Sequence, residues 1–190
     1  MKQRVLAVIL SVFLFACKGP NKEAPKPEVA VKAAAVEVDP MTKKMDELKK
    51  LSPLGMDQLK ELLPDTLLGI KRTNFSYNSA MGYSLAQADY EKNNKTDIRM
   101  VVYDCAGQAG AEWYSMNYLT KSTMEAANEN GYTKTVDFNG GKAIENYDKT
   151  INVTTFTYLA NDRILVVLTG RNVKSDDLKV AAEKLKMKVS

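Results

Sequence analysis

From residue 70 to residue 169 the sequence repeatedly alternates side-chain character at every second position, a period that lets an extended strand present one apolar and one polar face. Residues 70–77 read as a first strand. Tyr83, Leu85 and Gln87 set against Ala86, Ala88 and Tyr90 read as a second, and Ile98, Met100 and Val102 as a third. A second group follows. Residues 132–138 and 142–147 form a hairpin turned at Asn139-Gly140-Gly141, which supplies the positive φ angles a tight turn requires, and residues 151–159 and 163–169 form another, turned at Asn161-Asp162. Every aromatic residue beyond Phe15 lies between Phe75 and Tyr158, so the core forms there.

Helical periods surround and divide these strands. Met41, Met45, Leu48 and Leu51 repeat at three and four residues; Ser52-Pro53 then offers a cap and first turn for a helix carrying Met56, Leu59, Leu62 and Leu63, which Pro64 stops. Ala106-Gly107-Gln108-Ala109-Gly110 turns the chain into a helix with Trp113, Met116, Thr120 and Met124 along one side, closing at Asn130-Gly131. Ser175-Asp176-Asp177 caps a last helix that turns Leu178, Ala181, Ala182 and Leu185 inward. Three strands, a helix, four strands and a helix predict an α+β fold: an antiparallel sheet with helices packed on its faces, an α/β/α sandwich preceded by short N-terminal helices. The expected single domain covers residues 41–190, with a helical lead-in over 41–66 and the sheet and helices over 67–190.

Over residues 68–188 this element order, together with Gly131-Tyr132 and the hairpin Phe138-Asn139-Gly140-Gly141-Lys142-Ala143, resembles the Mog1/PsbP-like fold. The resemblance implies a binding or assembly module and not an enzyme, and it carries over no functional residue.

The N-terminus supplies an address. Lys2 and Arg4 precede an apolar run over residues 5–16 whose only polar member is Ser11, too short to span a bilayer as a helix. It ends in Leu14-Phe15-Ala16-Cys17, which resembles the lipobox of bacterial lipoprotein signal peptides, although Phe15 stands where that family has a small or β-branched residue. The resemblance implies that residues 1–16 are removed and that Cys17 is acylated, the chains together giving firm membrane attachment. Lys18 does not look like an inner-membrane retention signal, so the expected location is the periplasmic face of the outer membrane. Residues 17–40 then form the lipidated cysteine and a disordered tether, rich in Pro, Lys, Ala and acids and without an aromatic residue to drive ordering.

Composition excludes much chemistry. The chain has no histidine, which removes the usual neutral-pH base and every Ser-His or Cys-His nucleophile pair. Its formal charge of +4 lacks the basic excess of a nucleic-acid binder. Asp104-Cys105, at a predicted strand end before a glycine turn, is where a reactive thiol could sit, but with Cys17 committed to lipid, Cys105 reads as a buried structural residue. Gly107 and Gly110 fall short of a dinucleotide fingerprint. Asp97, Asp104, Asp137, Asp148 and Asp162 follow no calcium-loop spacing and read as turn formers. No catalytic residue, metal ligand or cofactor is expected. Asp65-Thr66-Leu67 resembles a bacterial O-glycosylation site, on Thr66. Tyr83, Tyr90, Tyr103, Trp113, Tyr147 and Tyr158 are the candidate ligand or partner surface, since an amphipathic ring offers area and a polar tip. The expected function is that of an outer-membrane-anchored periplasmic lipoprotein presenting a non-enzymatic binding or assembly domain, with a protein partner in the cell envelope. The alternative is a carrier that holds a small apolar ligand between sheet and helix.

Overall fold

The computed structural model of the chain describes residues 40–93 and 95–188. The expected signal peptide (residues 1–16), the expected lipidation at Cys17 and the expected tether up to Pro40 fall on residues 1–39, outside the described residues. The alternating segments are strands. β1 (Thr66–Leu67), β2 (Ile70–Asn78), β3 (Ser84–Asn93) and β4 (Thr96–Asp104) make one antiparallel run, and β5 (Ala126–Asn128), β6 (Gly131–Phe138), β7 (Gly141–Asp148), β8 (Val153–Ala160) and β9 (Ile164–Arg171) make a second. Pairing of β4 with β9 joins the runs into one nine-stranded antiparallel sheet, ordered β1-β2-β3-β4-β9-β8-β7-β6-β5. Asn139 and Gly140 turn the β6–β7 hairpin at φ 47° and 78°, and Asn161 and Asp162 turn β8–β9 at 48° and 58°. These are the left-handed conformations that Asn, Asp and Gly tolerate best.

The chain is thus a mixed α+β protein with four α-helices among the described residues: α1 (Pro40–Lys49), α2 (Met56–Glu61), α3 (Gly107–Tyr114) and α4 (Ser175–Lys184). The larger core lies on one face of the sheet. There Ala88, Tyr90, Met100, Val102, Phe156 and Leu168 are buried beneath Leu59 of α2 and Leu178, Ala181 and Ala182 of α4. Phe138 meets Phe156 edge to face with ring centres 5.1 Å apart. The opposite face carries a smaller core in which Leu48 of α1 and Ala111 and Tyr114 of α3 pack with Cys105, Ile144 and Leu165. Two helices on that second face do not reach the whole sheet. In β8, residues of the first face are buried at Thr154, Phe156 and Tyr158, while Val153, Thr155 and Thr157 of the second stay half exposed.

Several expectations are corrected. Ser52-Pro53 does not start a helix: α2 begins after Gly55, whose N–H donates to Gln58 Oε1 at 3.1 Å, because the backbone at Ser52 and Leu54 is held by Arg163 and Asp104 instead. The helix after Ala106 buries Ala111, Tyr114 and Tyr118, not the Trp113–Met116–Thr120–Met124 side; Met116 and Met124 are 59% and 52% exposed. A π-helical turn, Ser115–Leu119, ends it and brings the Tyr118 hydroxyl to the Lys142 carbonyl at 2.5 Å. Asn130-Gly131 closes no helix but turns β5 into β6. Gly131 is required there, since at φ 152° a Cβ would lie 1.9 Å from the Tyr147 carbonyl oxygen. Lys174, not Ser175, caps α4. β1 and β5, two and three residues long, are too short to show a period in the sequence.

Candidate binding site

The six candidate ring residues separate into three environments. Tyr90 and Tyr158 are corrected to core residues. Tyr90 is fully buried and its hydroxyl donates to the Pro64 carbonyl at 2.7 Å; Tyr158 lies beneath α4 with its hydroxyl 3.5 Å from the Ala182 carbonyl oxygen. Burial pushes the Tyr90 phenol up to about 12 and raises that of Tyr158 as well. Neither ring reaches a surface. Tyr147 is half buried at the β6–β7 end of the sheet, 5.8 Å from Tyr132. The Tyr132 hydroxyl donates to Glu145, which also pairs with Lys134 at 3.2 Å. Burial opposes the Glu145 charge, but the bonds from Tyr132 and Lys134 prevail and hold its carboxyl below the usual range. Nothing in the sequence distinguished this buried carboxylate from a surface one.

Tyr83, Trp113 and Tyr103 come together. The indole stacks on both phenol rings, with centres 5.0 Å from Tyr83 and 5.2 Å from Tyr103 and planes inclined by 17° and 26°. β3 and β4 are neighbouring strands, and α3 folds back over them after the turn at Ala106, which makes residues thirty positions apart adjacent. All three rings are half buried. Met81, two residues before Tyr83, is 85% exposed, and Met116, one helical turn beyond Trp113, is 59% exposed. The indole Nε1 is buried and has no hydrogen-bond partner among the described residues. An orphaned donor of this kind costs about 1–3 kcal/mol.

Asp104 and Cys105 have structural roles. Arg163 clasps the buried Asp104 carboxylate through Nε at 2.8 Å and a terminal guanidinium nitrogen at 2.9 Å; the Leu54 and Ala106 N–H groups donate to it at 2.6 and 3.2 Å. Cys105 is 0% exposed, and burial pushes its thiol up to about 12. A native sample is therefore expected to resist a thiol reagent at pH 8 and to react only after denaturation. Rapid labelling of the folded protein would contradict this placement. Asp97 pairs with Arg171, Asp137 with Lys142 at 2.6 Å and Asp162 with Lys44 at 3.3 Å. Asp148 accepts from the Thr150 N–H at 2.8 Å. Among the described residues no group of three or more His, Cys, Asp or Glu side chains could hold a metal ion. Thr66 is exposed on the edge strand β1.

The uncovered part of the second face forms a further concavity that no sequence motif marked. The pairing register lines up Thr133, Asn146, Thr155, Thr169, Arg99 and Asp89, one from each of β6, β7, β8, β9, β4 and β3. The next row is Thr135, Ile144, Thr157, Val167, Val101 and Gln87. Asn117, Lys121 and Met124, from the segment after α3, wall a cleft of about 410 Å³ over Thr155 and Thr157. Thr133 and Asn146 continue it into a second cleft of about 400 Å³ beside Asn128 and Asp148, and Thr169 and Arg99 line a third of about 370 Å³.

Comparison with protein-family models, curated proteins and solved structures finds no match to the chain.

Proposed function

We propose that this chain is a lipoprotein held by acylated Cys17 at the periplasmic face of the outer membrane, whose domain binds a protein partner and performs no chemistry of its own. The finer fold belongs to the same proposal: a Mog1/PsbP-like α/β/α sandwich whose sheet the helices cover from both sides. The observation that carries the binding role is the half-buried stacked trio Tyr83, Trp113 and Tyr103, with the exposed Met81 two residues before Tyr83 and the exposed Met116 three residues after Trp113. Aromatic and methionine side chains in one exposed patch give large contact area at little entropic cost and are enriched at the centre of protein interfaces. The buried thiol of Cys105 and the paired state of Asp104 both weigh against an enzyme. Thr66, exposed near the lipid-proximal lead-in, is proposed as a modification site and not as part of the binding surface.

A photo-crosslinking residue placed at Met81 of the intact, membrane-bound protein is expected to trap a discrete protein adduct. The same residue at Val180 on α4, itself 41% exposed, is expected to trap none. Met116→Asp should suppress the Met81 adduct without unfolding the domain, because the side chain already meets solvent. Equal trapping at both positions, or none at Met81, would contradict the proposal.

A further inference from the structure

We propose that the open edge of β2 pairs antiparallel with the same edge of a second copy of this chain, across a two-fold axis at Ser76. One side of β2 is filled by β3. On the other, β1 pairs only with Ile70 and Lys71, and the Arg72 N–H donates to the Asp65 carbonyl at 2.9 Å. Among the described residues no strand pairs with that side from Thr73 to Asn78, where β2 ends and a short 3₁₀ turn, Ala80–Gly82, follows. The ladder's alternation sets which groups face outward. The Phe75 N–H donates to Asn74 Oδ1 at 2.8 Å and not to β3, so Phe75 and, two residues on, Tyr77 direct their N–H and C=O groups to the open side. Such a row is a template for another strand.

The side chains of this edge match a second copy of themselves. Of the antiparallel registers, the one centred on Ser76 engages both outward residues of each copy, Phe75 of one with Tyr77 of the other. It forms four N–H···O bonds, two of which take over the Phe75 N–H from Asn74. Phe75 and Tyr77 lie half buried on the larger core's face, so the register sets two aromatic pairs side by side there. On the exposed face Asn74 meets Asn78, and Ser76 meets Ser76. Pairing ends with Ser79 opposite Thr73, just short of Arg72, whose N–H Asp65 already holds. None of residues 73–79 is charged, so no like charges face each other across the axis. Lys60 of α2 lies over the Phe75 ring at 5.5 Å, where the second copy's Tyr77 adds another aromatic face. The stretch also lacks the lysine or proline that blunts a solitary edge, whereas the opposite edge strand, β5, is kept to three residues. The pairing rests neither on attachment at Cys17 nor on the patch at Met81.

The test uses the full chain in detergent micelles. In this register the two Ser76 Cα atoms stand about 4.5 Å apart, within disulfide range. Under a copper–phenanthroline oxidant, Ser76→Cys is expected to give a disulfide-linked product of twice the chain mass. Asn74→Cys, displaced from its own copy by four residues or about 13 Å along the strand, should give none, and neither should the wild-type chain with Cys17 and Cys105. Ser76 is exposed, so Ser76→Glu and Ser76→Lys should each keep native circular dichroism while raising the dimer dissociation constant at least tenfold by setting like charges together. An equimolar mixture of the two should restore the dimer in light scattering. Absence of the Ser76→Cys product, an equal yield from Asn74→Cys, or linkage of Ser76→Cys to another protein or to Cys17 would overturn the proposal. So would a mixture of the charged variants that associates no better than either alone.

Discussion

Asp104→Ala is expected to lower the unfolding free energy by about 3–5 kcal/mol, the range for removing one partner of a buried ion pair. The Asp104 side chain is 0% exposed and Arg163 17%, so water cannot replace the lost carboxylate. Its removal strands the guanidinium and leaves the Leu54 and Ala106 N–H groups without an acceptor. The effect reaches further than the pair. Arg163 also donates to the Ser52 carbonyl at 2.6 Å, so the clasp ties the link between α1 and α2 to the ends of β4 and β9. Arg163→Ala should cost a comparable amount. The double variant should cost less than the two losses together, because both remove the same interaction. Equilibrium denaturation measures all three, and a loss below about 1 kcal/mol for Asp104→Ala would show that the clasp is dispensable.

Phe156→Ala should destabilise by about 3–5 kcal/mol, since an aromatic ring is removed from a filled core. Phe156 is 0% exposed and packs its ring against Phe138 and Tyr158. The neighbouring Thr155 points to the other face. Thr155→Val is accordingly expected to change stability by no more than about 0.5 kcal/mol. The contrast between adjacent positions tests the face assignment of β8 itself: similar losses at both would mean that the second face is as closely packed as the first.

The same contrast explains which parts of the fold were legible. In Val153-Thr154-Thr155-Phe156-Thr157-Tyr158 the two faces meet different surroundings, so the alternation is strong and the strand is found by period alone. The α3 segment has no such clarity. Ala111, Tyr114 and Tyr118 form one stripe and Trp113, Met116 and Met124 another, both of helical period, and tyrosine fits inside and outside equally well. Packing chose the first stripe because Ala111 permits a close approach and the Tyr118 hydroxyl finds the Lys142 carbonyl. β1 and β5 carried no readable period at all.

Sites were less legible than strands. Tyrosine content flagged Tyr90 and Tyr158 along with Tyr83 and Tyr103, because a residue type cannot reveal which hydroxyl has a backbone acceptor inside the core. The groove needed more still. Its row of threonines comes from strands far apart in the sequence, and only the register across β6, β7, β8 and β9 aligns them. Asp104 looked like a turn former, since its partner Arg163 lies on the opposite side of the sheet's central pairing and their contact depends on β4 meeting β9.

The proposed role as an envelope lipoprotein rests first on attachment at Cys17. Metabolic labelling of a bacterial host with a fatty-acid analogue, followed by isolation of the chain, measures that attachment directly. Label is expected on the wild-type chain and none on Cys17→Ala, which should remain uncleaved in the inner membrane or appear soluble in the periplasm. An unlabelled wild-type chain, or label that persists on Cys17→Ala, would contradict the lipoprotein assignment.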